Sequence, residues 1–351
     1  MNQKFKGIGI EAISSCVPGN KIEGSYFENL LPPKELRKFE KTTGILERRY
    51  VDKKTTASDL GYIAAKKILE DKKCQSEIKA LIFLSQTPDY RIPFTSNILQ
   101  QRLHLSKEIL CLDINAGCSG FVQGLSVAYS LANTIEGKVL LIVSETLSKI
   151  LSPEDKSTNM LFGDAGSAIL ISKDNERNGD AFFNFFSDGE NYDAILIPDG
   201  GYRNPFEEKS LEWSIDVKGN KNKGMHLTMD GPRVFDFTLR EIPKSIELLL
   251  ENYHLRKDEI DAFLFHQSNK FIIKQIASIL NLPKEKVLIN IDKFGNTSGV
   301  SIPLLLTTEL ENTFIANKKI LLSGYGSGLN WSNCVISLNS NFKKYELIEI
   351  Q

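Results

Sequence analysis

The same succession of elements occurs twice in this chain, and the repeat constrains the fold more than any other feature. In the first half, an apolar run at Ala80–Leu84 precedes a helical stretch at 94–105. Another run at 109–114, a turn holding Cys118 with a helical segment after it, and a run at Val139–Ser144 follow. In the second half the order returns: Ala262–Phe265, helix 269–280, Val287–Ile291, the loop DKFGNTSG, and helix 301–315. Strands at Ile320–Leu322 and Cys334–Leu338 complete it. Short apolar runs read as buried strands, and apolar residues three and four apart read as helix. Alternation at this pitch predicts parallel sheets covered by helices. The repeat divides the 351 residues into pseudo-equivalent halves, 1–176 and 177–351. Superposing the halves sets the GNTSG turn where the Cys118 turn sits. Both then face one crevice at the carboxyl ends of strands.

Outside the repeat, residues 5–15 read as a strand and 57–71 as an amphipathic helix. A long helix starts near Pro232, and Pro243 predicts a kink or break in it. The polar, Gly- and Asn-rich segment from Asp199 to about 224 reads as a surface insertion or lid.

The formal net charge is −1, so no global basic field draws nucleic acid or an anionic membrane. With 41% hydrophobic and 25% charged residues, the chain has the composition of a soluble globular protein. No apolar run approaches the ~18 residues a membrane-spanning helix needs. The five cysteines (Cys16, Cys74, Cys111, Cys118, Cys334) are scattered, with no CxxC pair. That pattern predicts neither a metal site nor a disulfide framework, and a reduced, cytoplasmic setting. No cofactor is expected.

Three residues stand out as chemistry-bearing. Cys118 sits at the turn from a strand into a helix, where unpaired N–H groups and the positive helix end favour thiolate. His266 ends a strand in LFHQSN, and Asn296 lies in GNTSG. Taken singly, each has a plain structural reading: a small buried hydrophobe, a satisfied histidine, a tight turn. Together they form a nucleophile with two hydrogen-bond donors, able to carry an acyl thioester and polarise a carbonyl. The run SGYGSGLN at 323–330 offers backbone N–H groups without bulky side chains. FGDAG at 162–166 has no following Lys-Ser/Thr and reads as a packing turn rather than a phosphate loop.

DINAGCSGF around Cys118, LFGDAGSAIL at 161–170, LFHQSN around His266, GNTSGVSIP around Asn296 and GYGSGLNWS at 324–332 occur in that order. In these motifs the chain resembles β-ketoacyl-acyl carrier protein synthase III, of the thiolase superfamily. The resemblance implies an α/β, duplicated thiolase-like fold in five layers, αβαβα, and a homodimer. It implies an acyltransferase in which Cys118 accepts the acyl group. His266 and Asn296 would hold a malonyl-type thioester while it loses carbon dioxide, in fatty-acid or polyketide-like biosynthesis. The oxyanion would lie against the Cys118 N–H and an amide of Gly326, Ser327 or Gly328. Ile92, Phe162, Asn269 and Phe271 take substrate-binding positions. Implied partners are an acyl-CoA or acyl-carrier-protein donor, a malonyl-type thioester and acyl carrier protein itself. Lys270 and Lys274, four apart on one helix, suit an acidic carrier protein or a merely solvated face.

The chain departs from the family pattern at the substrate entrance. Lys38 and Thr42 stand where the housekeeping enzyme grips the CoA adenine with an aromatic and an arginine. Phe271 replaces a basic residue and Ile92 a gating phenylalanine. Extra residues lie near 25–40 and 200–224. These changes imply a specialised relative with a longer or unusual acyl group. Two other readings remain: acyl transfer from Cys118 to an oxygen, nitrogen or second chain, and an idle subunit partnering an active synthase.

Overall fold

The computed structural model describes residues 1–216, 219–310 and 318–351. The stretch expected as one strand at 5–15 is divided between two, β1 (Asn2–Lys6) and β2 (Ile8–Pro18). Gly7 separates them at φ +67°, a left-handed conformation that glycine adopts freely and a strand cannot contain. The chain changes sheet at that point.

The first sheet joins β2 to β3 (Ile78–Leu84), β4 (Leu110–Ile114), β5 (Lys138–Glu145) and β6 (Ala165–Lys173). Their spatial order is β2-β6-β5-β3-β4. The second sheet holds β7 (Asp180–Ser187), β8 (Ala262–Phe265), β9 (Lys318–Gly326) and β10 (Asn330–Leu338), in the order β7-β10-β9-β8, with β1 outside β7. In each sheet two antiparallel pairings are followed by a parallel one. Position for position, β2 matches β7, β6 matches β10, β5 matches β9 and β3 matches β8.

The repeat is imperfect at β4. Its counterpart, expected as a strand at 287–291, forms a single parallel bridge between Val287 and Phe263. The Asn290 N–H is taken by the Gln267 side chain at 3.1 Å rather than by a ladder, and residues Ile291–Phe294 coil into a short helix.

Helices fill the remaining layers. α1 (Ala57–Lys72) and α2 (Thr95–Arg102) pack on the outer face of the first sheet. α3 (Gly120–Thr134) lies between the sheets. α4 (Gly231–Asn252) and α5 (Lys270–Ile279) cover the second sheet from outside. α6 (Ser301–Thr308) joins α3 in the centre. Strand residues serve the two faces alternately: Ile82 and Leu84 pack with Phe121 and Leu305, while Leu81 and Phe83 pack with Leu60 and Leu99. The result is the expected αβαβα stack, buried on both faces of each sheet.

α4 continues through Pro243, where a kink or break was expected, so the helix is not broken there. A helix-interior proline costs about 3 kcal/mol. Phe237, Ile242, Ile246 and Leu249 are buried against the second sheet, and full burial of such side chains gives about 1.5–3 kcal/mol each. Packing therefore wins. α6 ends at Thr308; of the helix expected to reach 315, residues 311–315 lie outside the described residues.

The chain ends interlock the halves. β1 lies on β7, while residues 343–344 and 348–350 pair with β2 of the first sheet. No helix among the described residues is long and apolar enough to cross a membrane.

Candidate active site

Cys118 stands half-buried two residues ahead of α3. Its turn is closed by a hydrogen bond from the Gly120 N–H to the Gly117 carbonyl, 2.7 Å. The pseudo-equivalent turn, Asn296–Ser298, comes against it backbone to backbone. A Cβ on Gly299 would lie 2.9 Å from the Gly117 carbonyl oxygen, so only glycine fits there. The approach brings Cys118 Sγ to 3.5 Å from Ser298 Oγ.

His266 follows β8 and is 2% exposed. Its backbone N–H is tied to the Ser323 carbonyl at 2.8 Å, and its Nδ1 is 2.8 Å from Ser301 Oγ. That hydroxyl oxygen also accepts the Gln267 N–H at 3.3 Å. When the Ser301 O–H points at Nδ1, the imidazole proton sits on Nε2. Tyr325 packs edge-on against the ring, with centroids 5.3 Å apart. Asn296 is held by its backbone to Leu161 and Gly163. Its Oδ1 accepts the Ser298 N–H at 2.9 Å, which leaves the NH2 group to donate elsewhere.

Cys118, His266 and Asn296 line one cavity of about 190 Å³, together with Phe162, Asn269, Gly326 and Ser327. Gly326 meets Cys118 directly: a Cβ there would lie 2.5 Å from Cys118 Cβ. Asn269 also caps α5, its Oδ1 accepting the Phe271 N–H at 2.7 Å. The remaining expected site residues lie outside this lining. Gly328 follows Ser327 at φ +133° and does not border the cavity. Phe271 is 44% exposed and stacks on Phe235, which does border it, with ring centroids 6.1 Å apart. Ile92 is 81% exposed on the loop ahead of α2.

The thiol differs from expectation. Burial, the largest influence, pushes Cys118 up to about 11; the Ser298 hydrogen bond acts the other way, and Glu145 adds to the rise. Magnitudes explain the sign. A helix N-terminus contributes about 0.3–2 kcal/mol, at most about 1.5 pH units. Complete removal from water shifts a group by up to about 3–5 pH units, so partial desolvation of the Cys118 sulfur is enough to outweigh the helix. Burial also drives His266 down to about 3, so the imidazole is neutral. The resting site is thus a neutral thiol facing a neutral imidazole. Asp164 of FGDAG accepts the Val51 and Ser148 N–H groups, at 2.9 Å each, and Gly163 would clash with the Phe294 carbonyl if it carried a Cβ. Packing is what that motif does here.

Other residues at or behind the cavity wall were not singled out from sequence. Ser298 and Ser301 lie within GNTSGVS, where the turn glycines drew attention instead. Gln86, Tyr325, Leu147, Leu161, Ile195, Leu227, Met229 and Val234 arrive from several separate segments, which local periodicity cannot connect.

The chain is similar along its length to proteins of one known family. The family described as 3-oxoacyl-[acyl-carrier-protein (ACP)] synthase III matches residues 112–189, and its C-terminal part matches 250–338. A β-ketoacyl-[acyl-carrier-protein] synthase III of Fusobacterium nucleatum is 31% identical over 95% of this chain and 99% of its own. A Clostridium perfringens protein of the same name is 32% identical, over 96% and 99%. The crystal structure of a 3-oxoacyl-(acyl-carrier protein) synthase from Burkholderia xenovorans LB400 superposes with a TM-score of 0.92. It is 36% identical and covers 100% of this chain and 99% of that one. With the duplicated fold and full-length likeness together, the chain belongs to the β-ketoacyl-acyl carrier protein synthase III family.

Proposed function

We propose that the protein carries out a decarboxylating Claisen condensation: an acyl group held on Cys118 joins a malonyl-type thioester to give a β-ketoacyl thioester. The observation that supports this most is the convergence of Cys118, His266 and Asn296, from both halves, on one cavity.

Cys118 Sγ attacks the donor thioester carbonyl, the bond to the donor sulfur breaks, and the Cys118 proton leaves with the departing donor thiol. The tetrahedral oxyanion lies between the Cys118 N–H and an amide of the 326–328 run. The malonyl-type thioester then binds with its carbonyl against His266 Nε2–H and the Asn296 amide. Loss of carbon dioxide leaves an enolate, whose charge those donors stabilise. The enolate carbon attacks the acyl carbonyl, the C–S bond to Cys118 breaks, and a proton restores the thiol. Atoms balance: acyl thioester, malonyl thioester and one proton give β-ketoacyl thioester, carbon dioxide and free thiol.

The donor is an acyl-CoA or acyl carrier protein, and Phe162 and Asn269 hold the substrate. Ile92 and Phe271 serve it from outside the cavity lining. The halves 1–176 and 177–351 supply the nucleophile and the enolate donors respectively. The working unit is a homodimer. Among the described residues β4, reading LCLDI with Leu110 49% exposed, has no neighbour on its outer side, and such an apolar edge calls for a partner strand.

The test is a panel of C2–C12 acyl-CoA and acyl-carrier-protein donors, with mass measurement of the adduct and of carbon dioxide release from malonyl-CoA. Acylation that disappears in Cys118→Ala, with carbon dioxide release, is the expected result. Acylation persisting in that variant removes Cys118 as nucleophile. Acyl transfer to an alcohol or amine without carbon dioxide release replaces condensation by acyltransfer.

A further inference from the structure

Glu145 ends β5 and is fully buried, yet among the described residues no lysine or arginine pairs with it. A buried carboxylate without a cation is costly unless its oxygens are saturated by donors. All of its donors come from one turn, residues 85–87. The Gln86 N–H reaches Oε1 at 2.9 Å, Thr87 Oγ1 reaches Oε2 at 2.7 Å, and Ser85 Oγ reaches Oε2 at 3.2 Å. The Thr146 N–H adds a bond to Thr87 Oγ1, 3.0 Å. This carboxylate is therefore a clamp on the turn that follows β3.

That turn occupies the place in the first half that His266 and Gln267 occupy in the second, immediately after the matching strand. Its middle residue, Gln86, borders the catalytic cavity on the solvent side. The Gln86 side chain touches both loops that surround the sulfur. Nε2 donates to Ser327 Oγ at 3.2 Å. Oε1 lies over Gly117, where a Cβ would approach it to 2.1 Å. Ser327 belongs to the 326–328 run, an amide of which serves the oxyanion in the reaction proposed above.

We propose that Gln86, held by Glu145, is a positioning residue for the oxyanion side of the reaction, bracing the Gly326–Ser327 loop against the Cys118 turn. The inference rests on the condensation reading and deepens it. The enolate side has its own supports, Ser301 on His266 and Ser298 on Asn296. The two sides are then braced by different groups, the Ser301 hydroxyl and the Ser298 N–H on one and the Gln86 side chain on the other. A defect at Gln86 weighs on steps with a tetrahedral oxyanion, namely acylation and condensation, more than on malonyl decarboxylation.

The experiment uses the full chain with the acyl-CoA that acylates it fastest among C2–C12 donors. Acylation of Cys118 is followed by rapid-quench mass spectrometry, and carbon dioxide release from malonyl-CoA is measured without acyl donor. Gln86→Met keeps the length and removes the bond from one end; Ser327→Ala removes it from the other. Each is expected to slow acylation about ten-fold, as loss of one hydrogen bond near a developing charge. The double variant is expected to be no slower than either single one, because both remove the same interaction. Glu145→Gln is expected to lower acylation relative to decarboxylation in the same sense. Additive losses in the double variant, an unchanged acylation rate, or equal losses in both half-reactions overturn the proposal. A Glu145→Gln protein with an unaltered ratio overturns the part given to Glu145. If the unaltered protein never acylates at Cys118, the condensation reading itself fails. If it acylates and Gln86→Met keeps its rate, only the bracing role fails.

Discussion

At the scale of single residues, burial sets the chemistry. His266, driven down to about 3, stays unprotonated across the range in which a free imidazole titrates near 6.5. Between those values the unfolded chain binds a proton that the folded chain refuses. The His266 contribution to stability therefore falls as pH is lowered through that window. Two measurements check this. The His266 ring resonances are expected to stay flat from pH 5 to 8 by NMR, and titration in that range disproves a neutral buried ring. His266→Ala is expected to lose less stability between pH 6.5 and 4 than the parent. Glu145, raised by burial to about 7, acts with the opposite sign, so the difference between the two proteins is the meaningful quantity. Gly326 makes a sharper case. Its missing Cβ leaves room for Cys118 Cβ, so Gly326→Ala is expected to reduce Cys118 acylation at least ten-fold. An alanine variant of normal rate shows that the loop yields more easily than its contacts imply.

At the scale of elements, the central helices carry the site. α3 begins at the nucleophile turn and α6 follows the Asn296 turn, and both are packed between the sheets. Phe121, fully buried on α3, lies three residues beyond Cys118. Phe121→Ala is expected to destabilise the fold by about 3–5 kcal/mol, the usual cost of emptying a phenylalanine site. Denaturant unfolding measures it, and a loss under about 1 kcal/mol contradicts the packing described. Most of these elements were legible because their apolar runs are strongly periodic. The misreadings have local causes. Gly7 split an apparently continuous strand. Asn290 gave its N–H to a side chain and ended a strand at one bridge. Pro243 was outweighed by the face it sits on.

At the scale of the whole molecule, the first sheet ends in an apolar edge at β4, and the loop carrying Tyr90, Ile92 and Phe94 is exposed. If a second copy pairs along β4, a charge in that strand prevents it. Leu112→Lys is expected to convert a dimer into a monomer in analytical ultracentrifugation. A variant that remains dimeric places the interface elsewhere. The mouth of the cavity also belongs to this scale. Phe271 stacks on Phe235 there, and Leu227 and Met229, just after the 199–224 segment, form part of the wall.

The amino-acid order alone pointed to the duplicated α/β plan, to Cys118, His266 and Asn296 as one candidate set, and to the glycine-rich loop beside them. Those features rest on short-range patterns: period two or 3.6, turn glycines, and polar residues at strand ends. Folding in three dimensions decided what no local pattern contains. It placed Gly326 and Ser327 against the cavity and left Gly328 and Ile92 outside. It also brought Ser298, Ser301 and Gln86 to the reacting groups from distant segments. Above all it reversed the expected thiol. The helix terminus that favours thiolate is a local property, whereas the burial that opposes it is the sum of everything packed around Cys118.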